Sequence, residues 1–210
     1  MPEPAAERAA VERPILFSAP MVRTILERRK TQTRRLIRPE RLPLLCIDGD
    51  GQDRQEALKL CPYGLPGDGL WVRETHWRFG RWVKNGSSAR GTQKWKFKPM
   101  KDDAVAFMLN GPNAKRGAIG WHKRPSIFLP RWASRIMLEI LDIRVQRLQE
   151  ISEADAQAEG CSMGYDGPYS FHQGFNYRGG FMALWDSING KRAAWATNPW
   201  VWAVTFKRLP

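Results

Sequence analysis

Ser134-Arg135-Ile136-Met137-Leu138-Glu139-Ile140-Leu141-Asp142-Ile143-Arg144-Val145-Gln146-Arg147 is the stretch whose reading decides the fold. Ile136, Leu138 and Ile140 alternate with Met137 and Glu139, the period of two expected of a strand with one buried face. The apolar phase then slips to Leu141, Ile143 and Val145. A slip inside one long strand predicts a bulge or a sharp bend, which a small barrel needs to curve. Working outward, Trp200 to Lys207 reads as a strong terminal strand, with Trp200 and Trp202 as core residues.

On the N-terminal side, Gly64-Leu65-Pro66-Gly67-Asp68-Gly69 is a turn signal leading into a strand at Leu70–Thr75, which sets Arg73 and Thr75 with Trp71 and Val72 with Glu74. Ile15-Leu16-Phe17 predicts a short buried strand. Ser18-Ala19-Pro20 then opens a helix with Met21, Ile25 and Leu26 on one side and Arg28-Arg29-Lys30 at its C-terminal end. Residues 31–37 turn β-like, with Thr31, Thr33 and Arg35 alternating against Gln32, Arg34 and Leu36. Asp48-Gly49-Asp50-Gly51 reads as a hairpin turn, since the remaining ligands of a calcium loop are missing. Ser152 to Asp155 resembles a helix-capping box, closed by Gly160, and Phe181, Leu184, Trp185 and Ile188 mark another helix. Residues 76–125 read as a long irregular stretch rich in Trp, Lys, Gly and Asn, with Lys94, Lys96 and Lys98 among them.

The expected architecture is therefore α+β: a small β-barrel with a few short helices and long loop insertions. Residues 1–12 are expected to be a flexible tail and 13–209 a single domain, with insertions at about 76–125 and 161–180. No βαβ alternation, GxGxxG or GxxxxGK loop is present, which excludes the nucleotide folds built on them.

The 210 residues include 34 Lys and Arg against 21 Asp and Glu, a formal charge of +13. Such an excess costs stability through self-repulsion, and polyanions are its usual partners, so RNA, DNA or a nucleotide is the expected ligand. Cys46, Cys61 and Cys161 form no CxxC pair, and His76, His122 and His172 share no short motif. No structural zinc and no cofactor are expected, and the odd cysteine count fits a reducing compartment. Without a spanning apolar run or a signal-peptide pattern, the expectation is a cytoplasmic protein with no membrane partner.

The densest polar cluster is Arg28-Arg29-Lys30-Thr31-Gln32-Thr33-Arg34-Arg35. Its residues leave two readings open: a helix end running into an edge strand whose cations block aggregation, or a lysine that holds a neighbouring hydroxyl ready for attack. Glu159 by itself reads as a solvated helix residue. Arg73 and Glu74 are open between an ion pair bracing the sheet and a second carboxylate near a pocket. Pro130-Arg131-Trp132-Ala133-Ser134-Arg135 offers two guanidiniums and an indole, suited to phosphate contact with base stacking. Trp82 and Trp95, in the basic stretch, are the better stacking candidates among the tryptophans. The expected binding set is Arg29, Arg34, Arg35, Arg73, Glu74, Trp82, Trp95, Arg131, Trp132 and Arg135.

Ile25-Leu26-x-x-Arg29-Lys30-Thr31-x-Thr33-x-Arg35 resembles the signature of the ASCH domain family, a branch of the PUA-like β-barrels. The resemblance continues at Gly67-Asp68, at Asp155-Ala156-x-x-Glu159-Gly160 and at Val204-x-Phe206-Lys207. From Arg13 to Leu209 the chain is similar to the long variant found in phages and prophages, in PILFS (14–18), RKTQTRR (29–35), CPYG (61–64), PGD (66–68), WVRET (71–75), PRWASR (130–135) and NPWVW (198–202). The resemblance implies hydrolysis of N4-acetylcytidine or a related N-acylated cytosine. In that chemistry Lys30 lowers the pKa of Thr33, Thr33 attacks the acyl carbonyl and Glu159 shuttles protons. Related activities imply two alternatives: a non-catalytic reader of modified or flipped bases, and a metal-independent ribonuclease.

Overall fold

The computed structural model describes residues 9–41, 58–101, 104–107, 111–165 and 175–210. The elements, in chain order, are β1 (Glu12–Leu16), α1 (Ala19–Leu26), β2 (Gln32–Leu36), β3 (Gly69–Arg73), β4 (His76–Ser87), β5 (Gln93–Pro99), β6 (Val105–Ala106), β7 (Gly120–Arg124), β8 (Met137–Arg147), α2 (Glu153–Ala158), β9 (Gly164–Tyr165), β10 (Phe175–Asn176), α3 (Tyr177–Asn189) and β11 (Trp200–Arg208). Asp48–Gly51, residues 1–8 of the expected tail and residues 166–174 lie outside the described residues. The chain divides into two compact units: Met1–Ile15 with Pro20–Trp71 and Ile136–Pro210, and Leu16–Ala19 with Val72–Arg135.

The first unit is built on a five-stranded sheet in the order β1-β3-β8-β11-β2. The α+β class is as expected, but the sheet is open, with β1 and β2 as its edges, and does not close into a barrel. β8 carries the irregularity that its apolar pattern predicts. Thr205 pairs with Asp142 and Phe206 with Ile140, so Leu141 is the extra residue of a bulge. That residue is 46% exposed, while Leu138, Ile140, Ile143 and Val145 around it are buried. The bulge lets one strand bury apolar side chains of both phases on the same face.

Asp68 secures the turn before β3. Its buried carboxylate accepts hydrogen bonds from the backbone N–H groups of Val11 and Leu65 and from the Arg13 guanidinium, at 2.9–3.0 Å. Gly67 takes φ +87°, which a side chain would resist. The Val11 contact shows that the expected tail is already anchored by that residue. Beside the sheet, Leu148, Ile151, Ala156, Cys161, Phe181, Trp185 and Val201 form a buried cluster that seats α2 and α3. Ser152 caps α2 by accepting from the Asp155 N–H, and Asn176 caps α3 by accepting from the Gly179 N–H.

The second unit replaces the irregular stretch expected at 76–125 with an antiparallel sheet, β5-β4-β6, with β7 also paired to β4. Its strands contain few aliphatic residues, and tryptophan and cations stand where Val and Ile usually mark a strand. The local sign was the strict alternation Lys94-Trp95-Lys96-Phe97-Lys98. Among the described residues no helix is long and apolar enough to cross a membrane.

Candidate functional site

Two arrangements, one in each unit, hold the residues singled out above. In the first unit, α1 ends at Leu26, and Arg28 just beyond it takes a left-handed φ of +59° that turns the chain toward β2. The Thr31 N–H then donates to the Ala158 carbonyl at 2.8 Å, drawing the start of β2 against the end of α2. Gly160 ends α2 at φ +77°, and a Cβ there would press on the Lys30 Cβ at 3.0 Å. The absence of a side chain at Gly160 is what lets Lys30 pass.

Lys30 Nζ donates to the Glu159 carboxylate at 2.7 Å and to the Glu159 carbonyl at 2.8 Å. Both side chains are almost wholly removed from solvent. Arg34 reaches the second Glu159 oxygen at 3.2 Å and Asp155 at 2.8 Å. Gln32 bridges the group, accepting from Arg34 at 2.6 Å and donating to Asp155 at 3.1 Å. Burial pushes the Asp155 carboxyl upward, but Arg34, Gln32 and Arg144 together outweigh it and hold the group below its ordinary value. This is a closed network in which each oxygen of Glu159 faces a cation. It joins β2 to the end of α2 through charge-assisted hydrogen bonds.

Thr33 is buried and pairs with Val204 of β11. The pleat turns it, with Arg35, to the face of β2 opposite Gln32 and Arg34, the residues that reach α2. The fold therefore joins Lys30 to Glu159 directly and places Thr33 across the strand from that contact. Beside the network lies a cleft of about 370 Å³ lined by residues including Arg28, Arg29, Thr31, Gln157, Cys161 and Tyr177. Burial pushes the Cys161 thiol up to about 12, which keeps it protonated and unreactive. Arg29 is exposed and bound to Glu27 at 2.6 Å. Burial lowers the pKa of Arg35, with Tyr63 and Glu159 acting the other way.

In the second unit, Glu74 is buried and takes a two-point contact from Arg135, at 2.9 and 3.0 Å. Glu74 is therefore paired with Arg135, while Arg73 donates to the Leu129 carbonyl at 3.2 Å. The sheet itself has two unlike faces. On one, Trp82 meets Phe97 edge-on at 5.5 Å, and the Arg124 guanidinium lies 4.5–4.7 Å from Trp82, Phe97 and Phe128. Trp95, which pairs with Lys84, shares this face and packs under Arg116 at 5.5 Å. Trp132 is 57% exposed, with the Arg78 guanidinium 5.8 Å from its ring, and Arg131 is exposed. Buried His76 donates from Nδ1 to the Glu74 carbonyl at 3.2 Å, and burial lowers its pKa to about 4.

The opposite face was not anticipated as a unit. Register places Arg81 directly across from Lys98, Val83 across from Lys96, Phe79 across from Trp121 and Trp77 across from Lys123. Alternation adds Lys94 to the row on β5. Arg81, Lys94, Lys96, Lys98 and Lys123 are all exposed, and Phe79 and Trp121 are half-buried between them. Trp82 and Trp95, expected to stack on a ligand, thus face away from this row of cations. Residues 72–135 hold fifteen Lys and Arg against three Asp and Glu, so twelve of the thirteen net charges fall in this stretch. No family model, no curated protein and no solved structure matches the chain.

Proposed function

We propose that this protein binds nucleic acid across the cationic face of its four-stranded sheet. The observation that carries the reading is Arg81 standing directly opposite Lys98, within a row of exposed cations. Like charges directly across a sheet destabilise it. A polyanion laid over the row removes that repulsion and releases its own counterions, so the same charges that cost folding energy drive association. Lys94, Lys96 and Lys98 repeat at every second residue, roughly 6.8 Å along the strand, a spacing suited to successive phosphates.

The test is the salt dependence of binding to a short labelled oligonucleotide. Replacing Lys94, Lys96 and Lys98 together with Ala removes three phosphate contacts. The slope of log affinity against log salt is then expected to flatten by about 2 to 3 units. An unchanged slope places the binding surface elsewhere.

A second reading, hydrolysis of an N-acylated cytosine, is favoured by the 2.7 Å contact between Lys30 and Glu159. It requires Thr33 to act from the other face of β2. Purified protein incubated with N4-acetylcytidine should then release cytidine, and Thr33→Ala should abolish turnover. Release that survives Thr33→Ala excludes Thr33 as nucleophile, and no release from the parent protein removes the reading.

A further inference from the structure

We infer that the cationic face takes single strands, with Phe79 and Trp121 as the stacking platform for bases; this rests on the nucleic-acid reading above. Phe79 and Trp121 stand opposite each other on β4 and β7, their rings edge-to-face at 5.7 Å and 71°. Both are half-buried, so part of each ring faces outward on the side that carries Arg81 and Lys123. The arrangement joins two things a single strand presents at once: a charged backbone and unstacked bases with open π-faces. A duplex offers only the first, because its bases are already stacked on one another. Duplex major grooves are read by an inserted helix or a narrow two-stranded ribbon. This face is built on a four-stranded sheet.

Register sets Trp77 on the same face, across from Lys123. Trp77 is 3% exposed, and among the described residues its indole N–H has no hydrogen-bond partner. Its ring lies under Lys123, with the ammonium 5.5 Å from the ring centroid.

Binding of the full-length protein to a labelled single-stranded oligoribonucleotide, to the DNA of the same sequence, and to the matching duplexes decides the matter. Single strands are expected to bind more tightly than either duplex. Trp121→Leu keeps apolar bulk without a π-face and should weaken single-strand binding by about fivefold or more. Trp121→Phe should retain most of it, and neither variant should change the salt slope. Equal affinity for single and double strands, or Leu and Phe behaving alike at position 121, overturns the single-strand inference and leaves nucleic-acid binding standing. No binding to any of the four probes overturns both.

Discussion

Lys30 and Glu159, 129 residues apart in the chain, meet at 2.7 Å with both side chains out of solvent. No local pattern pairs them: Glu159 by itself reads as a solvated helix residue, whereas the fold buries it against Lys30. The partners of the remaining polar residues have no local pattern either. Glu74 selects Arg135 over its neighbour Arg73, and that choice depends on a contact spanning 61 positions. Thr33 shows a different limit: alternation by itself puts it opposite Gln32 and Arg34, but only the seating of α2 reveals which face the carboxylates occupy. Lys30→Met leaves Glu159 buried with Arg34 alone, so a loss of about 3–5 kcal/mol in unfolding free energy is expected. Denaturant melts of this variant check it. A variant as stable as the parent would show that the pair does not hold β2 to α2.

At the scale of elements, strands with one buried aliphatic face were legible. The bulge at Leu141 could be read directly from the slip in apolar phase, because that pattern is local and its consequence is geometric. The strands between residues 76 and 124 were not, since their buried positions are filled by Trp, His and Arg stacked on rings instead of by Val and Ile. Close backbone approach is equally hidden. Gly180 lies in the first turn of α3, where a Cβ would run into the Ser162 carbonyl oxygen, and Gly164 packs against the same turn, a Cβ on it falling 2.8 Å from Gly180 N. Helix propensity alone says that Gly180→Ala gains about 1 kcal/mol. The packing says the reverse, a loss of roughly 1–3 kcal/mol from overpacking. Thermal or denaturant unfolding of Gly180→Ala separates the two by sign.

For the whole molecule, the net charge was visible from composition but its distribution was not. Twelve of the thirteen net charges fall within residues 72–135, and that fact gains meaning only once this stretch is known to form a sheet with two unlike faces. On the proposed reading the cationic face of that sheet, and not the overall charge, binds nucleic acid. The most direct measurement compares two triple variants of equal charge loss by fluorescence anisotropy with one labelled oligoribonucleotide across a salt series. Lys94, Lys96 and Lys98→Ala strips the face, while Lys191, Arg192 and Arg208→Ala removes exposed cations from the other unit. The first is expected to weaken binding and flatten the salt slope by about 2 to 3 units, with the second close to the parent. Equal losses from both would contradict the claim and reduce the binding to a property of net charge.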